Sequence, residues 1–418
     1  MANIIDYVLW RGDIPLSQVP LCAVDALVLA YLSYMPFDGV VEEAFDEGVL
    51  LSDAARYMLD NGLSSSCMID SEQDDCLLLG AIVESERFAS MRVMGYVSRF
   101  DEANEEQFSA VTFVPPSGPA FVAFRGTDSS VVGWKEDFNM SFSAEVPAQR
   151  AAAAYALRAA RALSGDMILG GHSKGGNLAA YAALFAGSGV QRRVRCVYNF
   201  DGPGFNETIT ASEEFQRMDM RIHTYVPQSS LIGILLWHAE AFIVVKSDAG
   251  GLFQHNPYTW QVMGGRFITV PERTKESRLA EETIKSWLTS LSARERERVV
   301  DGIYSVLSVS EGRNVADLFE GRNVRAILKA VGSMDEETKE TIIDAFKRLG
   351  GSLKDTLPDW FEETAGQIRT LIAQKGADRV TEKAAGRTAR LEARNETKRN
   401  DKAESDSGEK SENVKEIG

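Results

Sequence analysis

The spacing of apolar residues along this chain changes character three times. Residues 23–34 carry Val24, Leu27, Val28, Tyr31 and Leu32 at helical spacing, which predicts an amphipathic helix with one face on a core. A second helix is predicted over 53–61, ended by Gly62, whereas residues 1–20, with Pro15 and Pro20, read as a mixed lead-in. From Met91 the period falls to two. Residues 91–100 and 107–113 read as strands around an acidic loop, and 119–124 as a third strand that is apolar throughout. An alanine-rich helix over 147–163, with Pro147 at a tolerated early position, leads to a strand at 166–170 and a helix at 177–186. Strands follow at 193–200, 221–226 and 242–246. Strands alternating with helices at these spacings predict an α/β fold with a mainly parallel sheet covered on both faces. Right-handed crossovers place the C-terminal ends of the strands on one edge.

Beyond Val270 the strand signals stop. Residues 279–291 are helical in pattern, and Ser292-Ala293-Arg294-Glu295 is a capping box that opens a helix running to about Leu307. Residues 323–331 predict another helix. A second box, Ser333 to Glu336, precedes one at 341–349, and 360–373 is the last amphipathic run. After Lys375 the chain is charged, nearly balanced in sign and poor in large apolar groups, the composition of a solvated tail. Three parts are therefore expected: an α/β sheet domain at 1–270, a helical region at 271–374 and a charged disordered tail at 375–418.

Composition narrows the function classes. The net charge of -16 lacks the basic stripe of a nucleic-acid binder and disfavours anionic membrane surfaces. The four cysteines show no C-x-x-C pairing and no histidines at zinc spacing, so reduced thiols and no metal are expected. Residues 1–10 lack a basic segment followed by a long apolar one, and no window reaches the roughly twenty apolar residues that span a bilayer. A cytoplasmic protein with no transmembrane segment is the expectation.

The candidate chemistry centres on Gly171-His172-Ser173-Lys174-Gly175-Gly176, a G-x-S-x-G nucleophile elbow lying between a predicted strand and a predicted helix. A serine hydroxyl needs a base, and the base needs an orienting partner. Of four histidines, His172 adjoins the nucleophile and shapes the pocket, His223 lies within a strand and reads as structural, and His238 reads as a wall or lid residue. His255 lies in a loop after the last strands and is the expected base. Asp201, at the end of the strand that follows the nucleophile helix, is the expected acid, with Asp248 as the alternative. Oxyanion donors are expected from the amide of Lys174 and from Thr127, whose hydroxyl is expected to add a second bond. The Lys174 side chain reads as a solvated helix residue and Arg125 as a loop brace. The apolar stretch 231–237 reads equally as acyl pocket, lid or ordinary core.

Several of these stretches together resemble a known family. Phe124-Arg125-Gly126-Thr127-Asp128, Gly133-Trp134, the stretch from Gly171 to Ala179 and the stretch from His255 to Trp260 resemble the oxyanion loop, elbow and histidine loop of the fungal-type class three lipases within the α/β-hydrolases. Ser173 to Asn177, Asp201 to Phe205 and Val226 to Ser230 resemble a bacterial lipase-like branch of that superfamily. The resemblance spans roughly residues 20–265. It implies a serine ester hydrolase that acts on an acyl-ester or lipid substrate through an acyl-enzyme, with no cofactor. One position departs: where class three lipases carry the acid, Thr224-Tyr225-Val226-Pro227 has no carboxylate. The acid has either moved to Asp201, as in pancreatic-type lipases, or been lost. Loss would leave a binding scaffold, with the C-terminal helices as the surface for a protein partner.

Overall fold

The computed structural model describes residues 1–62, 72–127, 135–137, 139, 140, 143, 145–307, 338, 340 and 341. Its centre is an eight-stranded sheet in which each strand pairs with the next in sequence, β1 (Val49–Leu50), β2 (Arg92–Asp101), β3 (Glu106–Val114), β4 (Ala120–Phe124), β5 (Met167–His172), β6 (Val194–Phe200), β7 (Ile222–Pro227) and β8 (Phe242–Val245). The pairings from β1 to β4 are antiparallel and those from β4 to β8 parallel. The expected parallel α/β sheet is thus extended on one side by a meander.

Central strands are buried on both faces, which is why they read as unbroken apolar runs. Along β4, Phe121 and Ala123 point into one core while Val122 and Phe124 point into the other, the alternation that a pleated strand imposes. On the first face lie helices α1 (Ile4–Arg11), α2 (Ala23–Leu32), α3 (Leu51–Asn61) and α4 (Glu72–Val83). The second face is covered by α5 (Pro147–Ala162) and α6 (Lys174–Phe185). A small hairpin follows β8, made of β9 (Val262–Met263) and β10 (Arg266–Phe267).

Three elements differ from the sequence expectation. The lead-in forms α1, started by Asn3, whose side chain accepts from the amides of Ile5 and Asp6 while Asp6 returns a bond to the Asn3 amide. Helix α2 is not amphipathic: every residue from Val24 to Leu32 is buried, because α1 and the hairpin cover the face that would otherwise meet water. Helix α4 was not anticipated, since its acidic start and mixed apolar run give no clean period.

After the sheet come α7 (Lys275–Ser290) and α8 (Ala293–Leu307). The expected capping box opens α8, with Ser292 N–H donating to Glu295 at 2.7 Å and Glu295 N–H to Ser292 Oγ at 3.2 Å. The helices expected at 323–331, 341–349 (Thr341 apart) and 360–373, the second capping box and the charged tail lie outside the described residues. Among those described, no helix is long and apolar enough to cross a membrane.

Candidate active site

Ser173 stands between the last residue of β5 and the first of α6, at φ 59° and ψ -137°, a strained conformation for a residue with a side chain. The turn is made possible by close backbone contact: a Cβ on Gly175 would fall 2.1 Å from the Phe124 carbonyl oxygen, so only glycine lets the helix start this near to β4. The helix starts at Lys174, earlier than the expected 177, because Gly175 and Gly176 lie within its first turn.

Asp201 ends β6, also at positive φ (51°), and its amide donates to the Tyr225 carbonyl at the end of β7. One carboxylate oxygen, Oδ2, lies 2.7 Å from His255 Nδ1. A carboxylate accepts, so Nδ1 donates, and in the neutral ring this tautomer leaves the lone pair on Nε2, where a general base requires it. The other oxygen, Oδ1, accepts from Ser230 Oγ at 2.5 Å and from the Gly233 amide at 3.1 Å. The His255 ring lies 4.4 Å from that of His172, the residue before Ser173, which sets the imidazole against the elbow. Ser173, Asp201 and His255 are 7%, 1% and 5% exposed. Asp248, the alternative acid, is not part of this group; it bonds to Gln261 and to the Met1 ammonium group.

His172 is fully enclosed and makes two contacts of its own. Its Nε2 lies 2.8 Å from the His255 carbonyl oxygen and its Nδ1 3.1 Å from the Tyr34 hydroxyl. The carbonyl accepts, so Nε2 donates and Nδ1 receives the tyrosine proton. Burial, with the neighbouring His255 adding to it, holds the His172 pKa well below the usual histidine value and keeps the ring neutral. His223 is half-buried on β7 beside Tyr198, and burial lowers its pKa as well. His238 pairs with Glu240 at 2.8 Å, and Glu240 in turn accepts from Thr224, so it is engaged outside the Asp201–His255 group.

The oxyanion side needs two corrections. The Thr127 hydroxyl spends its one proton on Asp137, so it has none to give an oxyanion. The Lys174 side chain is not solvated. Its ammonium is wholly buried and donates to the Gln107 carbonyl at 2.9 Å, to Gln107 Oε1 at 2.7 Å and to Glu136 Oε2 at 2.9 Å. The Lys174 amide opens α6, where helix geometry leaves it no internal acceptor. Arg125 is buried at the end of β4, and Asp128, Gly133 and Trp134 lie outside the described residues.

Above this group the stretch after β7 folds back. Phe205 and Trp237 exchange backbone hydrogen bonds, and Leu235, Leu236 and Trp237 pack with Met140, Val146 and, from α7, Ile284, Trp287 and Leu288. The apolar stretch read from sequence is therefore packed against α7. No group of three or more His, Cys, Asp or Glu side chains that could hold a metal occurs among the described residues. Gly233 and Tyr34 had no signal in the sequence, Glu136 and Asp137 only their place a few residues past the expected oxyanion loop, and Ser230 only its place at the end of a stretch of resemblance, with no role attached to it.

A family model described as Mbeg1-like matches residues 82–305, and the chain belongs to that family. None of the curated proteins compared with it matches. Among solved structures, the crystal structure of M37 lipase is similar at 13% identity and a TM-score of 0.33, over 50% of this chain and 68% of that one.

Proposed function

We propose that this Mbeg1-like protein is a serine ester hydrolase of the lipase or esterase type. The observation that carries the reading is the buried His255, held by Asp201 through Nδ1 at 2.7 Å and lying against an elbow that presents a serine at positive φ. In this reading Ser173 Oγ attacks the acyl carbonyl while His255 Nε2 takes its proton, and the Asp201 carboxylate stabilises the imidazolium that forms. The amides of Thr127 and Lys174 receive the oxyanion. Collapse of the tetrahedral adduct expels the alcohol, which takes the proton from His255 and leaves an acyl-serine. Water, deprotonated by the same imidazole, then releases the acid and restores the serine. No cofactor enters any step.

The resemblance to lipases is what supports an acyl or lipid substrate, whereas Leu235, Leu236 and Trp237 pack with Met140, Val146 and α7. One observation favours a second reading, a non-catalytic hydrolase-fold protein that binds a partner through its C-terminal helices: Ser173 and His255 are almost completely covered. Labelling with a fluorophosphonate separates the two. A hydrolase labels at Ser173, loses the label in Ser173→Ala, and labels far more slowly in His255→Ala and Asp201→Asn. A folded protein that does not label at any site favours the second reading. Acyl esters of graded chain length then define the substrate.

A further inference from the structure

The acid of the dyad is held from behind. Asp201 Oδ2 faces His255, and Oδ1 receives the Ser230 hydroxyl at 2.5 Å and the Gly233 amide at 3.1 Å. Ser230 is 1% exposed and follows β7 in a turn closed by its own amide on the Pro227 carbonyl, 3.0 Å away. A Cβ on Gly233 would fall 2.3 Å from Asp201 Oδ1, so the backbone at that position is pressed directly onto the carboxylate. Water does not reach this oxygen. Whatever orients it must come from the protein.

The same turn is tied to the C-terminal helices. Ser277, in the first turn of α7 and 1% exposed, donates through Oγ to the Ser230 carbonyl at 2.7 Å. One turn earlier the Thr274 amide donates to the Gln228 carbonyl at 2.7 Å. An unbroken chain of hydrogen bonds therefore runs from α7 through Ser277, Ser230 and Asp201 to His255.

We propose that Ser230 is a positioning residue of the Asp201–His255 dyad, and that α7 sets it in place through Ser277. The proposal rests on the ester-hydrolase reading for its catalytic consequence but not for its geometry. A carboxylate bound at one oxygen alone is free to turn about its Cβ–Cγ bond; pinning Oδ1 fixes where Oδ2 points. The Ser230 bond also disperses negative charge on the dyad. Without it the dyad binds a proton more tightly, so the proton is taken up at higher pH. Among the described residues the titratable groups facing the dyad are the His172 imidazole and, behind it, the Tyr34 hydroxyl, whereas the Ser230 hydroxyl bonds to Asp201 and the Gly233 amide.

With only four histidines in the chain, ¹⁵N-imidazole NMR resolves the dyad directly, and His255→Ala assigns its signals. Ser230→Ala is expected to move the pH of proton uptake up by about one unit, the size of one charge-assisted hydrogen bond. Ser230→Cys, which keeps the volume but donates weakly, and Ser277→Ala, which loosens the turn, are expected to move it in the same direction by less. Ester hydrolysis by Ser230→Ala should lose kcat about tenfold or more with KM unchanged. Wild-type titration in folded Ser230→Ala overturns the proposal. Should that variant not fold, wild-type titration of Ser230→Cys overturns it, and wild-type titration of Ser277→Ala removes the part assigned to α7. A wild-type protein whose dyad titrates as described but which neither labels at Ser173 nor cleaves esters overturns the hydrolase reading alone.

Discussion

Arg87 with Asp25 and Lys174 with Glu136 are two ion pairs whose side chains are completely buried, and they differ in what surrounds them. Arg87 meets both Asp25 oxygens at 2.6 Å and spends its remaining donors on the carbonyls of Ile14, Val19 and Pro20. Asp25 also accepts from the Tyr7 hydroxyl and the Cys22 amide at 2.8 Å. This cluster joins the residues between α1 and α2 to those after α4, and every neighbour is scaffold. Lys174 is equally satisfied, yet it adjoins Ser173, and Glu136 adjoins Asp137, which holds Thr127. Burial and pairing look the same in both. Distance from the reacting atoms is what separates a staple from part of a site.

Breaking the first pair should have the largest effect. Arg87→Met leaves Asp25 charged and unpaired in the core, for an expected loss of about 3–5 kcal/mol in chemical denaturation. Fluorophosphonate labelling of the molecules that remain folded should be unchanged, and a slower rate per folded molecule would erase the distinction between the pairs. The second pair is tested by removing both partners. Lys174→Met with Glu136→Leu should cost less than Arg87→Met, about 1–3 kcal/mol, because no unpaired charge is left and the loss is that of the Gln107 and Ala148 amides, which donate to Glu136. Labelling of Ser173 should nevertheless slow by roughly 10–100-fold, since the amides beside the nucleophile lose their anchor. Unchanged labelling would make this pair a second staple.

A buried group that stays neutral sharpens the contrast. His172 and His223 have pKa values lowered by burial, so below about pH 6.5 the unfolded chain binds protons that the folded chain refuses. Stability is therefore complete above that pH and falls as the pH drops toward the folded values, by up to about 1.4 kcal/mol per pH unit for each such proton. His172→Phe should flatten this slope between pH 6.5 and 5, and an unaltered slope would mean that the ring is not neutral as described. The smallest effect belongs to the surface. Ser292→Ala removes an exposed cap on α8 and should cost about 1 kcal/mol or less, with no change in labelling.

Local pattern announced what local pattern controls. The strands from β2 to β8 could be placed because side-chain alternation, or an unbroken apolar run between turn residues, is a property of a few adjacent positions. The elbow and the aspartate at the end of β6 followed from chain order, and the structure sets that aspartate against His255. What escaped depended on contacts far apart in sequence. Lys174 looked solvated because its partners stand 67 and 38 positions away, at Gln107 and Glu136. Ser230 stood only at the end of a stretch of resemblance, with no role, because nothing nearby in sequence reveals a carboxylate behind it. Helix α2 was misread for another reason: its run from Ala23 to Leu32 has apolar residues on all sides, and a search for one apolar face overlooks a helix that has no other kind.

The unbroken order of the sheet, with every strand bonded to its immediate predecessor, has a consequence for how the molecule comes into being. A sheet of this kind can be extended one strand at a time in the order in which the polypeptide is made, since no late strand has to be inserted between two early ones. The histidine loop is the exception. Tyr258 bonds to Asp75 of α4, and the Val262 amide donates to the carbonyl of Ala2, so the segment that carries His255 docks against the oldest part of the chain. The serine and its acid are thus laid down in sequence, while the base arrives only when the two ends of the domain meet. During refolding, reactivity toward a fluorophosphonate should appear after the sheet has formed, which makes chemical competence a late reporter of a finished molecule.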